Sequence, residues 1–193
     1  METSAKKTSA HTTASKGQDA TTLLRADHKV VSALFAQYKK ARSSADKKEI
    51  VAQICMELKV HAQIEEEIFY PAVKSAMKDK TLIPEATVEH ATLKTLLAQV
   101  ENVPPEGEMF DAKIKVLSEY VQHHVEEEQN EIFPKAKATK MDMMELGAQL
   151  AERKAELLAE GMDQARHPEN QKNKRATTPR RKSDYAQQSG HPA

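Results

Sequence analysis

An all-α fold is predicted for this 193-residue chain: an up-down-up-down four-helix bundle with an extra C-terminal helix and disordered tails. Three observations predict it. From about Ala20 to about Gly161, apolar residues recur at alternating steps of three and four, the spacing of one helix face. Turn signals break that pattern at Arg42-Ser43-Ser44-Ala45-Asp46, Asp79-Lys80-Thr81 and Val103-Pro104-Pro105-Glu106-Gly107. The chain also repeats itself: His61, Glu65 and Phe69-Tyr70-Pro71 return 63 positions later as His124, Glu128 and Ile132-Phe133-Pro134.

Residues 1–19 are Ser/Thr/Lys-rich and read as a disordered tail. The bundle follows over 20–140. Its first helix carries the stripe Leu24, Val31, Phe35, Tyr38, and its second Val51, Ile54, Leu58, Ile68, Ala72. The third carries Ala86, Leu93, Leu97, Val100, and the fourth Phe110, Ile114, Leu117, Val121. Each stripe is expected to face the core. Pro71 and Pro134 fall inside helical patterns, where a missing N–H and a clash with the preceding turn predict kinks. A fifth segment, 141–161, with Met144, Leu150, Leu157 and Leu158, is amphipathic; it reads as a helix that packs across the bundle or mediates self-association, or as a plain surface helix. From 162 to 193 the chain is polar and basic, with Lys172, Lys174, Arg175, Arg180, Arg181 and Lys182. That tail reads as disordered and solvated, with nucleic-acid contact as the second reading.

Composition narrows the function. A 39% hydrophobic content suffices for one ordinary core, and formal net charge is zero, so the whole chain offers no field for a polyanion. No apolar run approaches the roughly 18 residues of a membrane span, and none resembles a signal peptide, so a soluble, cytoplasmic protein is expected. The single cysteine, Cys55, excludes an internal disulfide and a thiolate metal cluster; it reads as a small buried apolar residue.

The histidines carry the chemistry. His28, His61, His90 and His124 all fall inside the apolar stripes, and His61/Glu65 and His124/Glu128 are spaced four apart, where helical side chains stack on one face. A second repeat pairs Asp27-His28 with Glu89-His90. One such His/Glu pair is ordinarily a surface pair worth a few tenths of a kcal/mol. Two pairs, two matching lone histidines and a shared inward orientation are a different matter. In an antiparallel hairpin, residues equidistant from the turn lie level. His28 and His61 centre between Ser44 and Ala45, and His90 and His124 centre on Gly107, both inside turn signals. His61 and His90 centre near Ser75 and Ala76, which requires a second helix that overshoots the bundle beyond Pro71. Imidazole and carboxylate without sulfur suit iron, manganese or zinc, and two carboxylates among four histidines suit a pair of ions. His124 is preferred over His123 because its distance to Pro134 equals that from His61 to Pro71; His11, His167 and His191 lie in the tails.

The doubled motif resembles the hemerythrin-like family of HHE cation-binding domains, over about residues 20 to 140. The resemblance implies a four-helix bundle holding two iron ions in a non-haem, carboxylate-bridged centre. It implies His28, His61, His90 and His124 as terminal ligands and Glu65 and Glu128 as bridges. The oxygen-carrying members use a fifth histidine one turn from the third; here Ala86 and Lys94 flank His90. The iron–sulfur-repair members carry an extra N-terminal domain that this pattern lacks. A site short of one ligand has room for water, dioxygen, peroxide or nitric oxide, or for another residue. The expected function is therefore sensing, scavenging or slow redox handling of such a ligand, or iron handling, rather than reversible oxygen carriage. A peroxide-decomposing enzyme is the alternative, in which Tyr38, Tyr70 and Tyr120 read as packing residues; an interaction bundle acting through its basic tail is the third.

Overall fold

The structure, a computed structural model, describes residues 17–104 and 106–166, the last five by backbone alone. The two tails expected at 1–19 and 162–193 lie outside the described residues except for 17–19 and the helical 162–166. The chain divides after Leu157 into two compact units. The described part of the second is the end of a helix.

Five helical rods make up the described residues. The first is α1 (Ala20–Lys40). The second runs through α2 (Ser44–Ile64), a π-helical turn (Glu65–Phe69) and α3 (Tyr70–Ala76). The third is α4 (Leu82–Glu101), and the fourth joins α5 (Glu108–Glu127), a second π turn (Glu128–Ile132) and α6 (Phe133–Lys137). The fifth is α7 (Met143–Arg166). The first four form an up-down-up-down bundle, and the second does continue past Pro71 to Ala76.

Local chemistry sets the boundaries. Asp19 caps α1 by accepting the Thr22 N–H at 3.1 Å, and Ser43 caps α2 by accepting from Asp46 at 3.0 Å. Gly107 precedes α5 at φ 89°, a left-handed conformation that favours glycine. Gly147 matters for a different reason. A Cβ there would lie 2.0 Å from the Gln18 carbonyl oxygen and 2.9 Å from the Ala20 nitrogen, so glycine lets α7 lie against the start of α1.

The kinks expected at the prolines take the form of π turns, and they begin at the glutamates rather than beyond them. Proline 71 has no N–H for the Glu67 carbonyl and its ring crowds that turn; widening it lets the Tyr70 N–H reach back five residues to Glu65. The Phe133 N–H reaches Glu128 in the same way, just before Pro134. One extra residue in the turn shifts the inward face. The expected core positions Ile68 and Ala72 are only half-buried, and Phe69 and Val73, one residue on, are fully buried instead. On α7 the buried positions are Leu146, Leu150 and Leu157, while Met144 is exposed.

Towards the α1–α2 and α4–α5 loops the bundle is filled with apolar side chains, among them Phe35, Ile54, Leu58, Leu97, Ile114 and Leu117. Cys55 is buried in this cluster, and burial pushes its thiol up to about 11. Leu24, Phe69, Val73 and Phe133 are buried further along the same helices. Between these apolar layers lies a band of buried polar groups. Fully burying one large apolar side chain contributes about 1.5–3 kcal/mol. The two layers therefore offset the cost of holding that band out of water.

Candidate metal centre

The band contains all six residues singled out by spacing. His28, His61, His90 and His124 are 1–7% exposed, and Glu65 and Glu128 are fully buried. α1 contributes His28, α2 His61 and α4 His90; α5 contributes His124; and each glutamate is the first residue of a π turn. His123, by contrast, is 61% exposed, with its Nε2 3.5 Å from Glu127 and 3.7 Å from Glu89. His124 is thus the interior member of that pair.

The four imidazoles turn Nε2 inward. His28 and His61 approach at 2.9 Å through these atoms, and His90 and His124 at 3.0 Å. Two nitrogens bound side by side to one ion at about 2.1 Å would stand about 3.0 Å apart. The glutamate oxygens complete two clusters, one of His28, His61, Glu65 and Glu128 and one of Glu65, His90 and His124, with Glu65 in both. The closest approaches are His28 to Glu128 at 3.2 Å and His61 to Glu65 at 3.3 Å. Yet both oxygens of Glu65 and Oε2 of Glu128 accept no hydrogen bond. Buried carboxylate oxygens without donors cost several kcal/mol unless a cation compensates them.

Each Nδ1 faces outward to a second partner, and the partners repeat as the ligands do. The residue before a lone histidine holds the histidine of the neighbouring motif: Asp27 stands 3.4 Å from His61 and Glu89 2.6 Å from His124. The residue after a buried glutamate holds a lone histidine: Glu66 is 3.0 Å from His90 and Gln129 3.1 Å from His28. Carboxylates at His90 and His124 fix the hydrogen on Nδ1 and leave two Nε2 lone pairs facing each other. Such a pair takes a cation, a proton or a metal. His28 differs. Arg25 donates to the Gln129 Oε1 at 2.7 Å, so the amide N–H points at Nδ1, which leaves the His28 hydrogen on Nε2, between His61 at 2.9 Å and Glu128 at 3.2 Å.

Electrostatics follow this layout. Burial opposes a charge on His61, but Glu65 and Asp27 outweigh it and push its pKa up to about 10. Burial, then the charge on Glu128, pushes Glu65 up to about 7, whereas Glu128 is drawn down because His28 and His124 outweigh its burial. Burial and the neighbouring His124 hold His90 down to about 4.

Two aromatic residues lie one on each side of the band. Tyr70 donates its hydroxyl to Glu128 Oε1 at 2.9 Å and lies 3.1 Å from the His90 Nε2; burial and the two glutamates keep that phenol protonated. Phe133, its counterpart in the repeat, stacks on the His28 ring at 5.8 Å. A cavity of about 20 Å³ adjoins all four histidines, walled otherwise by Val31, Leu58, Leu93, Val121, Val125 and Tyr120. That is room for about one water-sized molecule.

Tyr70, Asp27, Glu89, Glu66 and Gln129 are the site residues that spacing alone did not pick out. The repeat itself held the signal, because Asp27-His28 and Glu89-His90 recur together, as do Glu65-Glu66 and Glu128-Gln129.

The family model described as Hemerythrin HHE cation binding domain matches residues 19–136. A protein named DNA nickase from Nostoc sp. is 31% identical over 111 residues, which cover 58% of this chain and 31% of that protein. The chain therefore spans about a third of that relative's length. A crystal structure of a hemerythrin HHE cation binding domain-containing protein from Mycobacterium kansasii superposes with a TM-score of 0.69 at 22% identity, covering 77% of this chain and 93% of the other. At that identity the likeness speaks to the fold.

Proposed function

The chain belongs to the hemerythrin HHE cation-binding domain family, and from that premise we propose that it holds two iron ions in a non-haem, carboxylate-bridged centre and handles or senses a small oxidant or gas. His28 and His61 would hold one ion and His90 and His124 the other, with Glu65 and Glu128 as the carboxylates shared between them. The donor set fits: inward lone pairs, orphaned carboxylate oxygens and an outer partner on every imidazole are what a buried dinuclear site needs. Bound iron supplies electron exchange and a position for an exogenous ligand.

The observation that carries the ligand class is the cavity. Its volume of about 20 Å³ suits a ligand of about the size of water and excludes an organic substrate, which favours a small oxidant or gas, and its walls beyond the histidines are mostly apolar. Asp27, Glu89 and Glu66 hold the ligand histidines by Nδ1, and the apolar walls limit water. No described helix is long and apolar enough to cross a membrane. A peroxide-decomposing enzyme is the second reading. The Tyr70 hydroxyl favours it, because a phenol kept protonated beside Glu128 and His90 can deliver a proton to a reduced oxygen species.

Metal analysis of protein from iron-supplied cells, with visible spectra before and after dioxygen, peroxide and nitric oxide, tests this. Two irons per chain and an absorption band that responds to one of the three are expected. One zinc, or no metal, would end the oxidant-handling reading; catalytic loss of peroxide would favour the enzyme.

A further inference from the structure

The C-terminal helix reaches the metal centre. α7 begins at Met143, beyond the residues 19–136 that the family match spans, and so lies outside the four-helix bundle proper. Leu146, Leu150 and Leu157 are buried, and Gly147 lies against the backbone of Gln18 to Ala20. Arg153 donates to Glu67, in the first π turn, at 2.7 Å. Lys154 goes deeper: its Nζ stands 2.5 Å from Oδ1 of Asp27 and 3.9 Å from Glu57.

Asp27 is 5% exposed, and its other oxygen faces the His61 Nδ1 at 3.4 Å. A carboxylate in that position orients a ligand imidazole and sets its donor strength, and loss of such a partner typically weakens metal binding 10–100-fold. The carboxylate must itself be held. One lysine on the C-terminal helix does this, and a buried Asp27 without it would turn towards water and release His61. The other half is held from within the bundle: Lys94 of α4 pairs with Oε2 of Glu66 at 2.5 Å, and Oε1 of Glu66 faces the His90 Nδ1 at 3.0 Å. Glu89, the counterpart of Asp27, has the exposed His123 of α5 on its outer side at 3.7 Å.

We infer that α7 is a control element of the metal centre, with Lys154 a positioning residue that acts through Asp27 on His61. The inference rests on the proposed dinuclear site and specifies which half of it the C-terminal helix governs. On this reading, docking or release of α7 changes how tightly the His28/His61 side holds its ion, while the His90/His124 side keeps its own.

The test loads the full-length chain with cobalt(II) and follows release to a chelator, together with the visible ligand-field bands, for the wild type, Lys154→Met, Lys154→Arg and Asp27→Asn. In Lys154→Met, one of two ions is expected to leave at least about tenfold faster, the other at the wild-type rate, with altered bands for one ion only. Lys154→Arg should release both ions at the wild-type rates. Asp27→Asn should reproduce the loss, and adding Lys154→Met to it should bring no further change. Wild-type release from Lys154→Met, or equal acceleration of both ions, overturns the inference. So does a Lys154→Arg variant as impaired as Lys154→Met. A single cobalt per chain in the wild type would overturn the dinuclear reading instead, and faster release of that one ion from Lys154→Met would still decide the role of the lysine. No cobalt at all sinks both.

Discussion

At the residue scale the outer partners set how each histidine presents itself. Three Nδ1 atoms face carboxylates and the fourth, on His28, faces the amide of Gln129. An ion on His28 must displace the Nε2–H and turn that amide over, against its bond from Arg25. Gln129→Glu would remove the obstacle, since a carboxylate accepts Nδ1–H, frees the Nε2 lone pair and still pairs with Arg25. Metal titration should show the His28/His61 ion bound about tenfold more tightly in Gln129→Glu. Unchanged affinity would mean that the amide turns freely. A second residue-scale effect appears in the metal-free chain. His61 binds its proton more firmly folded, with a pKa of about 10 against an ordinary 6.5, so its contribution is fully present below pH 6.5 and is lost as pH rises towards about 10. The melting temperature of metal-free protein should fall across that window, and His61→Gln should flatten the decline.

At the scale of the element, α7 and the π turns decide most. Gly147→Ala gains about 1 kcal/mol of helix propensity but sets a methyl 2.0 Å from a backbone oxygen that cannot swing aside. Overpacking of that kind costs about 1–3 kcal/mol, so a lower melting temperature is expected, and a higher one would show that α7 shifts without penalty. The π turns also explain where sequence reading stopped. Helices, turns and the inward histidines were legible because a 3.6-residue period holds within each of Ala20–Lys40, Ser44–Ile64, Leu82–Glu101 and Glu108–Glu127. Counted with that period, Tyr70 lies about 140° around the helix from Glu65 and reads as packing. The wider turn between them returns it to the site, and it moves the buried positions from Ile68 and Ala72 to Phe69 and Val73. Asp27, Glu89 and Glu66 escaped for another reason. A carboxylate beside a ligand looks like any charged helix residue until the facing helix shows which nitrogen it holds.

For the whole molecule, the repeat of 63 residues brings two half-sites together around shared carboxylates, and nearly every contact on one side has its answer on the other. One departure is Glu66 and Gln129, and another is Tyr70 and Phe133. They occupy matching places, one beside His90 and one stacked on His28, and differ by a single oxygen atom. A site made of two equivalent halves would have no preferred direction of approach. That hydroxyl breaks the equivalence: on the proposed reading, the His90/His124 half would work beside a proton donor and the His28/His61 half beside a dry ring, so two matched sets of ligands would hold two unlike ions.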